Sequence, residues 1–522
     1  MNNPSKWLIK NTNLRFQVIF TVVASFLGKA LGFIRIQQIA LNIGTTELSD
    51  VMFIILQLIW LIESVVVAGA IAPMLISKIF QIDFSEGWKK STKFFLNNFA
   101  ICLIISILFG LFIIFSSEML VNNLFFDSSI EEKQFYISLF YVVSFFPLIL
   151  TIIHFLSLIN RLLDNGVWYS VNQIVVNTSA ILGLLIGINL GDAKLGATFM
   201  MIAITFGGFL MCFIQYFAAP AKARGLLIRT LLRSKANIFL FNPPFNYWKG
   251  AWALVIVTLL NEVLVYIDFY FANNLGPGNI SAIGYSSRIP NLINMIFVST
   301  VFVVLEPRWA KSLSNKPKEI WSKIISNDMI SIVSFILAPF AITLLFTNEV
   351  TEIIYRTNFY SFEDRLRINE LTQIFSFLII ALCLQTISLR AIVITGHQEK
   401  LMYVGITLIL LKIFLNILLI SFFEINGLAI ATVMTIFFGA ILNFSILIYY
   451  KSGLSIKLKD ILKLLINAAI ILIICMTFDY FLSPSYLALF IICICVFAMN
   501  ITCGHVLGIK YVKYFFNTKN YY

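Results

Sequence analysis

From Gln17 onward the chain is a succession of apolar runs, each long enough to cross the hydrocarbon of a bilayer, which takes about 20 helical residues. In hydrocarbon no water meets the backbone N–H and C=O groups. Such runs must therefore close their hydrogen bonds within themselves, as α-helices. Spans are expected at about 17–43, 51–79, 93–117, 134–159, 167–188 and 195–219, and again at about 249–273, 280–305, 326–347, 371–396, 401–422 and 427–450. Two more at about 460–482 and 486–509 bring the total to roughly fourteen. Over 522 residues, 60% are hydrophobic and 12% charged, with a mean hydropathy of +0.93. Soluble domains are far less apolar, so the expected class is an all-α polytopic membrane protein.

The stretch from Gly28 to Asp50, GKALGFIRIQQIALNIGTTELSD, sets Lys29 and Arg35 inside the first span and then turns at Gly44. The turn recurs about 232 residues later without a gap, the mark of a duplicated half. Ala40, Asn42, Ile43, Gly44, Leu48 and Ser49 align with Ala272, Asn274, Leu275, Gly276, Ile280 and Ser281. The expected organisation is a six-helix bundle over 1–219, a basic connector over 220–248, a second six-helix bundle over 249–450, and two further helices with a tail over 451–522. Pro243 and Pro244 interrupt any long helix in the connector.

Net charge is +12, which in a soluble protein would raise nucleic acid as a partner. Here the basic residues lie between apolar segments, so membrane topology accounts for them and nucleic-acid binding is not expected. About 27 of the 37 Lys and Arg residues fall on the side shared by the N-terminus, the connector, the 308–323 loop and the C-terminus, against about 5 on the other. Both termini are thus expected to be cytoplasmic. Six spans separate the two copies of the turn, so the halves read as parallel repeats, as in transporters that alternate access. The first apolar stretch is long and lacks a small-residue cleavage site, and reads as a retained span. Cys102, Cys212, Cys383, Cys475, Cys493, Cys495 and Cys503 all lie in apolar segments, as small hydrophobes rather than disulfide or zinc ligands.

Charges inside spans are costly and mark function by default. At a rise of ~1.5 Å per residue, Arg35 and Arg288 both lie roughly 12 to 14 Å below the outer surface, one in each half. Asp268 is near Arg288 in depth, Glu262 is deeper, and Glu63 is near mid-membrane, at about the depth of Lys29. A central cavity between the bundles, basic with a few acidic partners, is the economical reading. The competing reading has the charges fixing helix packing as buried pairs, Lys29 with Glu63 and Arg288 with Asp268. Arg390 lies close enough to the inner end of its span to snorkel. Lys412 sits mid-span with no partner evident in the sequence. Arginine suits a diphosphate, because its planar fork makes bidentate hydrogen bonds and stays charged when buried. Gln173, Asn177, Asn261 and Ser287 are candidate sugar-bonding groups, although such residues more often bond across helices. For the lone His154 packing is favoured over a proton relay.

LGFIR at 31–35 with Asp50 beyond it, IDFYFANNLGPGNISAIGYSSRIPNL at 267–292, and RAIVITGHQEKLMYVGI at 390–406 resemble the MurJ (MviN) lipid II flippases of the multidrug/oligosaccharidyl-lipid/polysaccharide exporter superfamily. The resemblance runs through most of the chain. It implies two six-helix bundles around a cavity, with the basic residues Lys29, Arg35 and Arg288 facing it and arginines holding the substrate diphosphate. It also implies a groove for the polyprenyl tail on the last two helices, and coupling to membrane potential or ions without a cofactor. The implied partners are a polyprenyl-diphosphate-linked glycan and membrane lipids, with the monomer as the working unit of a bacterial inner-membrane protein. The sequence departs from the family at Ile36, where an acidic residue is usual, at Glu63, where a basic one is usual, and at Ala68-Gly69-Ala70. A capsule or O-antigen unit is compatible as well as lipid II.

Three other functions compete with a flippase. A cation-coupled multidrug exporter would use Glu63, Glu262 and Asp268, but cavity arginines repel cationic substrates. A membrane glycosyltransferase would need Glu47 and Asp50 as catalytic acids, and their loop is too short to build such a site. An inactive scaffold would tolerate loss of both arginines.

Overall fold

The computed structural model describes residues 14–64, 87–162, 167–219, 245–299, 318–355, 361–450, 458–481 and 486–509, with isolated helical positions between 75 and 82 and between 301 and 313. The expected connector lies for the most part outside the described residues. Every regular element among the described residues is helical. Ten of these helices are long and apolar enough to cross a membrane. Large apolar side chains such as Phe115, Phe206 and Tyr449 are exposed, as lipid-facing groups are.

The chain divides into two compact units, Met1–Glu262 and Val263–Tyr522. In the first are α1 (Leu14–Asn42), α2 (Glu47–Ile62), α3 (Trp88–Leu124), α4 (Ile130–Val143), α5 (Phe146–Leu162), α6 (Val167–Leu190) and α7 (Ala193–Ala218). The boundary falls within α8 (Phe245–Asn273). The second unit holds α9 (Asn279–Ile293), α10 (Lys318–Leu345), α11 (Thr347–Tyr355), α12 (Phe362–Ile394), α13 (Leu401–Tyr449), α14 (Leu458–Phe481) and α15 (Tyr486–Val506).

The repeated turn has the same backbone device in each unit. Gly44 and Gly276 both have positive φ, 74° and 115°, a conformation that costs glycine nothing and a residue with a Cβ a good deal. Ser49 Oγ donates to Thr46 O at 2.7 Å, and the aligned Ser281 Oγ donates to Gly278 O at 3.0 Å. Thr46 also accepts from the Ser49 amide, closing a capping box at the start of α2.

Several spans differ from expectation. The fourth is two helices, α4 and α5, broken at Ser144–Phe145 because Pro147 lacks an N–H and is tolerated only in the first turn of a new helix. The eighth carries Pro290 near its end, and the chain passes into a π-helical turn, Asn294–Ser299. The tenth starts earlier than expected, at Phe362, where Ser361 Oγ caps the Asp364 amide at 3.0 Å. Much of the stretch between the spans expected at 326–347 and 371–396 is thus helical in α11 and α12.

The spans expected at 401–422 and 427–450 are the two arms of α13. They meet at Glu424, whose φ of 49° and ψ of −127° are not helical. A continuous helix would hold Lys412 and Thr432 about 30 Å apart at ~1.5 Å per residue. Instead their side chains are hydrogen-bonded, so the arms fold back on each other. Gly427 permits this, since a Cβ there would stand 2.2 Å from the Leu419 carbonyl oxygen.

The last two helices dock on α10. Ala338, Ile342, Ile471, Cys475, Ile492 and Val496 form an apolar seam. Beside it, Asn467 Nδ2 donates to Ser334 Oγ at 2.9 Å and to Asn500 Oδ1 at 2.8 Å, while Asn500 Nδ2 donates to Ser334 O at 2.9 Å. Side-chain amides join helices in this way where no water competes.

Candidate functional site

In the first unit the charges converge where α1 packs on α6. Gly28 lets the helices touch, because a Cβ there would be 2.9 Å from Gln173 Cβ, and Asn177 Nδ2 donates to Gly28 O at 3.0 Å. Asn177 is thus a helix-joining group. Arg35 lies seven residues on, two helical turns, and shares the Gly28 face. It is 6% exposed, while Lys29 is half-buried.

Glu63, at the end of α2, meets this assembly. His154 Nε2 of α5 lies 4.0 Å from Glu63 Oε1, Gln173 hydrogen-bonds the carboxylate, and Arg35 acts on it electrostatically. The Glu63–Lys29 pair of the competing packing reading is therefore not formed among the described residues. The lysine is on α1 at about 100° from the Gly28 face, which is turned to α6, so the carboxylate is met from α1 by the arginine instead.

Glu262 of α8 is met by Gln57 of α2 and by Ser64, two residues beyond its end. Gln57 Nε2 donates to Oε2 at 2.6 Å, and Ser64 Oγ lies 3.0 Å from Oε1. Neither residue was expected at a site. The signal was there to find, since Gln57 and Ser64 are polar residues seven apart, about two helical turns, in a largely apolar segment.

In the second unit Asp268 pairs with Lys412, not with Arg288 as the competing packing reading had it. Lys412 Nζ lies 2.7 Å from Asp268 Oδ1, Asn416 Nδ2 is 3.5 Å from the same oxygen, and Thr432 Oγ1 donates to Oδ2 at 3.0 Å. Lys412 is 1% exposed and Asp268 7%.

Arg288 of α9 lies near Tyr355, with which it interacts electrostatically. The Tyr355 hydroxyl donates to Tyr285 O at 2.8 Å, and the two tyrosine rings are 5.6 Å apart. Ser286 Oγ donates to Ile368 O, holding α9 against α12. Among the described residues Ser287 Oγ bonds within its own helix, to Gly284 O, and Asn261 is exposed. Arg390 is exposed on α12.

Each unit thus carries a buried or half-buried arginine within an apolar helix, suited to an anionic group, and a carboxylate engaged by its own chain. Arg35 stands in the first unit with Lys29, Glu63 and Glu262, and Arg288 in the second with Asp268.

The family model of the lipid II flippase MurJ matches residues 39–499. A protein of Buchnera aphidicola subsp. Baizongia pistaciae (strain Bp), described as a probable lipid II flippase MurJ, is 22% identical over 424 residues, 80% of each chain. The fold is similar to that of a solved lipid II flippase MurJ in an inward closed conformation, with a TM-score of 0.75 at 16% identity, covering 94% of this chain and 99% of that one. It is also similar to a MATE transporter solved in complex with MaL6, with a TM-score of 0.58 at 13% identity, covering 85% and 97%. With the family model spanning most of its length and the helical order of a MurJ fold, the chain belongs to the lipid II flippase MurJ family.

Proposed function

We propose that this chain carries an undecaprenyl-diphosphate-linked sugar precursor, lipid II or a related polysaccharide repeat unit, from the inner to the outer leaflet by alternating access. Arg35, Arg288 and Lys29 hold the diphosphate. The observation that carries this reading is Arg35, 6% exposed in an apolar helix of a chain that belongs to the MurJ family. A guanidinium in hydrocarbon is costly unless it serves an anion, and it offers a diphosphate two parallel hydrogen bonds. Glu63 beside it lowers the local positive charge, which bears on which glycan the site prefers.

The bundles are 1–219 and 249–450, joined by a cytoplasmic connector at 220–248 and followed by two helices over 451–522. Both termini are cytoplasmic, in a bacterial inner membrane, and the protein acts as a monomer without a cofactor. A cation exporter is the weaker reading. The carboxylates it would use, Glu63, Glu262 and Asp268, are each engaged by residues of this chain.

The test is complementation of a bacterium depleted of its lipid II flippase, with Arg35→Ala and Arg288→Ala alongside. Rescue by the wild type alone supports lipid II transport through the arginines. A well-inserted wild type that fails to rescue redirects the assay to capsule and O-antigen units, and rescue by both variants overturns the assigned site.

A further inference from the structure

Glu262 lies in a span, where its carboxyl group meets neutral partners. Gln57 Nε2 donates to Oε2 at 2.6 Å, and Ser64 Oγ is 3.0 Å from Oε1 and 3.0 Å from Leu61 O. With a proton on Oε1 each of these contacts has its own hydrogen: Glu262 donates to Ser64, Ser64 donates to Leu61 O, and Gln57 donates to Oε2.

The surroundings favour the same state. Among the described residues no Lys, Arg or His forms an ion pair with Glu262. From α2 and the turn that follows it faces the neutral Gln57 and Ser64, while Glu63 is turned to His154, Gln173 and Arg35. On its own helix the next acidic residue, Asp268, is held by Lys412. An ionised Glu262 would leave a half-buried charge inside a span with only neutral donors around it, which is costly.

We propose that Glu262 is a proton-binding site, a neutral carboxylic acid bridging α2 and α8 that gives up its proton only to water entering when this contact opens. The proton passes to the entering water, and the carboxylate left behind is solvated by it. Proton exchange is thereby tied to movement of α8 relative to α2, whatever substrate the chain carries.

The test needs no substrate. Infrared spectra of the full chain in lipid nanodiscs at neutral pH are compared for wild type and Glu262→Gln. The wild type should show one protonated-carboxyl band per chain that is lost in the variant and moves in D2O. Ser64→Ala should shift that band without removing it, and serves alone if Glu262→Gln does not accumulate. A difference spectrum with ionised-carboxylate bands instead, a Ser64→Ala spectrum identical to wild type, or a signal that follows added sodium would each overturn the proposal, the last in favour of a metal cation. Since none of these readouts depends on transport, the inference fails or stands separately from the flippase reading.

Discussion

The Lys412 ammonium lies 2.7 Å from a carboxylate oxygen of Asp268, two single charges from apolar helices that neutralise each other inside the second unit. Thr432 and Asn416 complete the set, so the pair joins α8 to both arms of α13. Removing one partner leaves the other charge buried alone. Lys412→Met and Asp268→Asn should each cost about 3–5 kcal/mol of stability. The double variant should recover most of that, because two neutral side chains strand no charge. Thermal unfolding of detergent-purified protein measures all three, and an additive double variant would show that the pair is not coupled.

Arg35 and Arg288 are expected to act on substrate and not on folding. Arg35→Ala and Arg288→Ala should abolish transport with membrane abundance unchanged. Arg35→Lys keeps the charge and loses the bidentate fork, so activity should fall about tenfold or more. Quantitative immunoblotting beside the transport assay separates the two roles. A variant that vanishes from the membrane has lost a structural residue.

Glu424 is the one non-glycine residue with positive φ among the described residues, and it joins the arms of α13. Glu424→Gly should relieve strain of about 1 kcal/mol and raise the melting temperature. Gly427→Ala should do the reverse by about 1–3 kcal/mol, since its Cβ would fall 2.2 Å from a backbone oxygen that cannot swing away. Equal melting temperatures for the two variants would contradict the turn geometry.

The seam that docks α14 and α15 on α10 is apolar apart from Asn467, Asn500 and Ser334. In lipid, apolar surface alone gives little preference for another helix, so the amide bonds fix the register. Asn500→Leu should lower stability by roughly 0.6–2 kcal/mol. Thermal unfolding in nanodiscs reads the loss, and an unchanged melting temperature would mean that the apolar seam suffices.

The sequence alone determined the helices, because the length of an apolar run and the need to satisfy backbone groups in hydrocarbon leave no other solution. It also determined the duplicated turn, since a tight reversal needs glycine at Gly44 and Gly276 and the matching residues around them survive in both copies. It marked Arg35 and Arg288 as exceptional by their setting. What only the tertiary structure decided was which charge meets which. Asp268 takes Lys412 and not Arg288, Glu63 takes His154, Gln173 and Arg35 and not Lys29, and Glu262 takes Gln57 and Ser64. Residue counting gives depth along the membrane normal. It does not give the angle at which helices meet, and in hydrocarbon, where a charge is satisfied only by direct contact, that angle selects the partner.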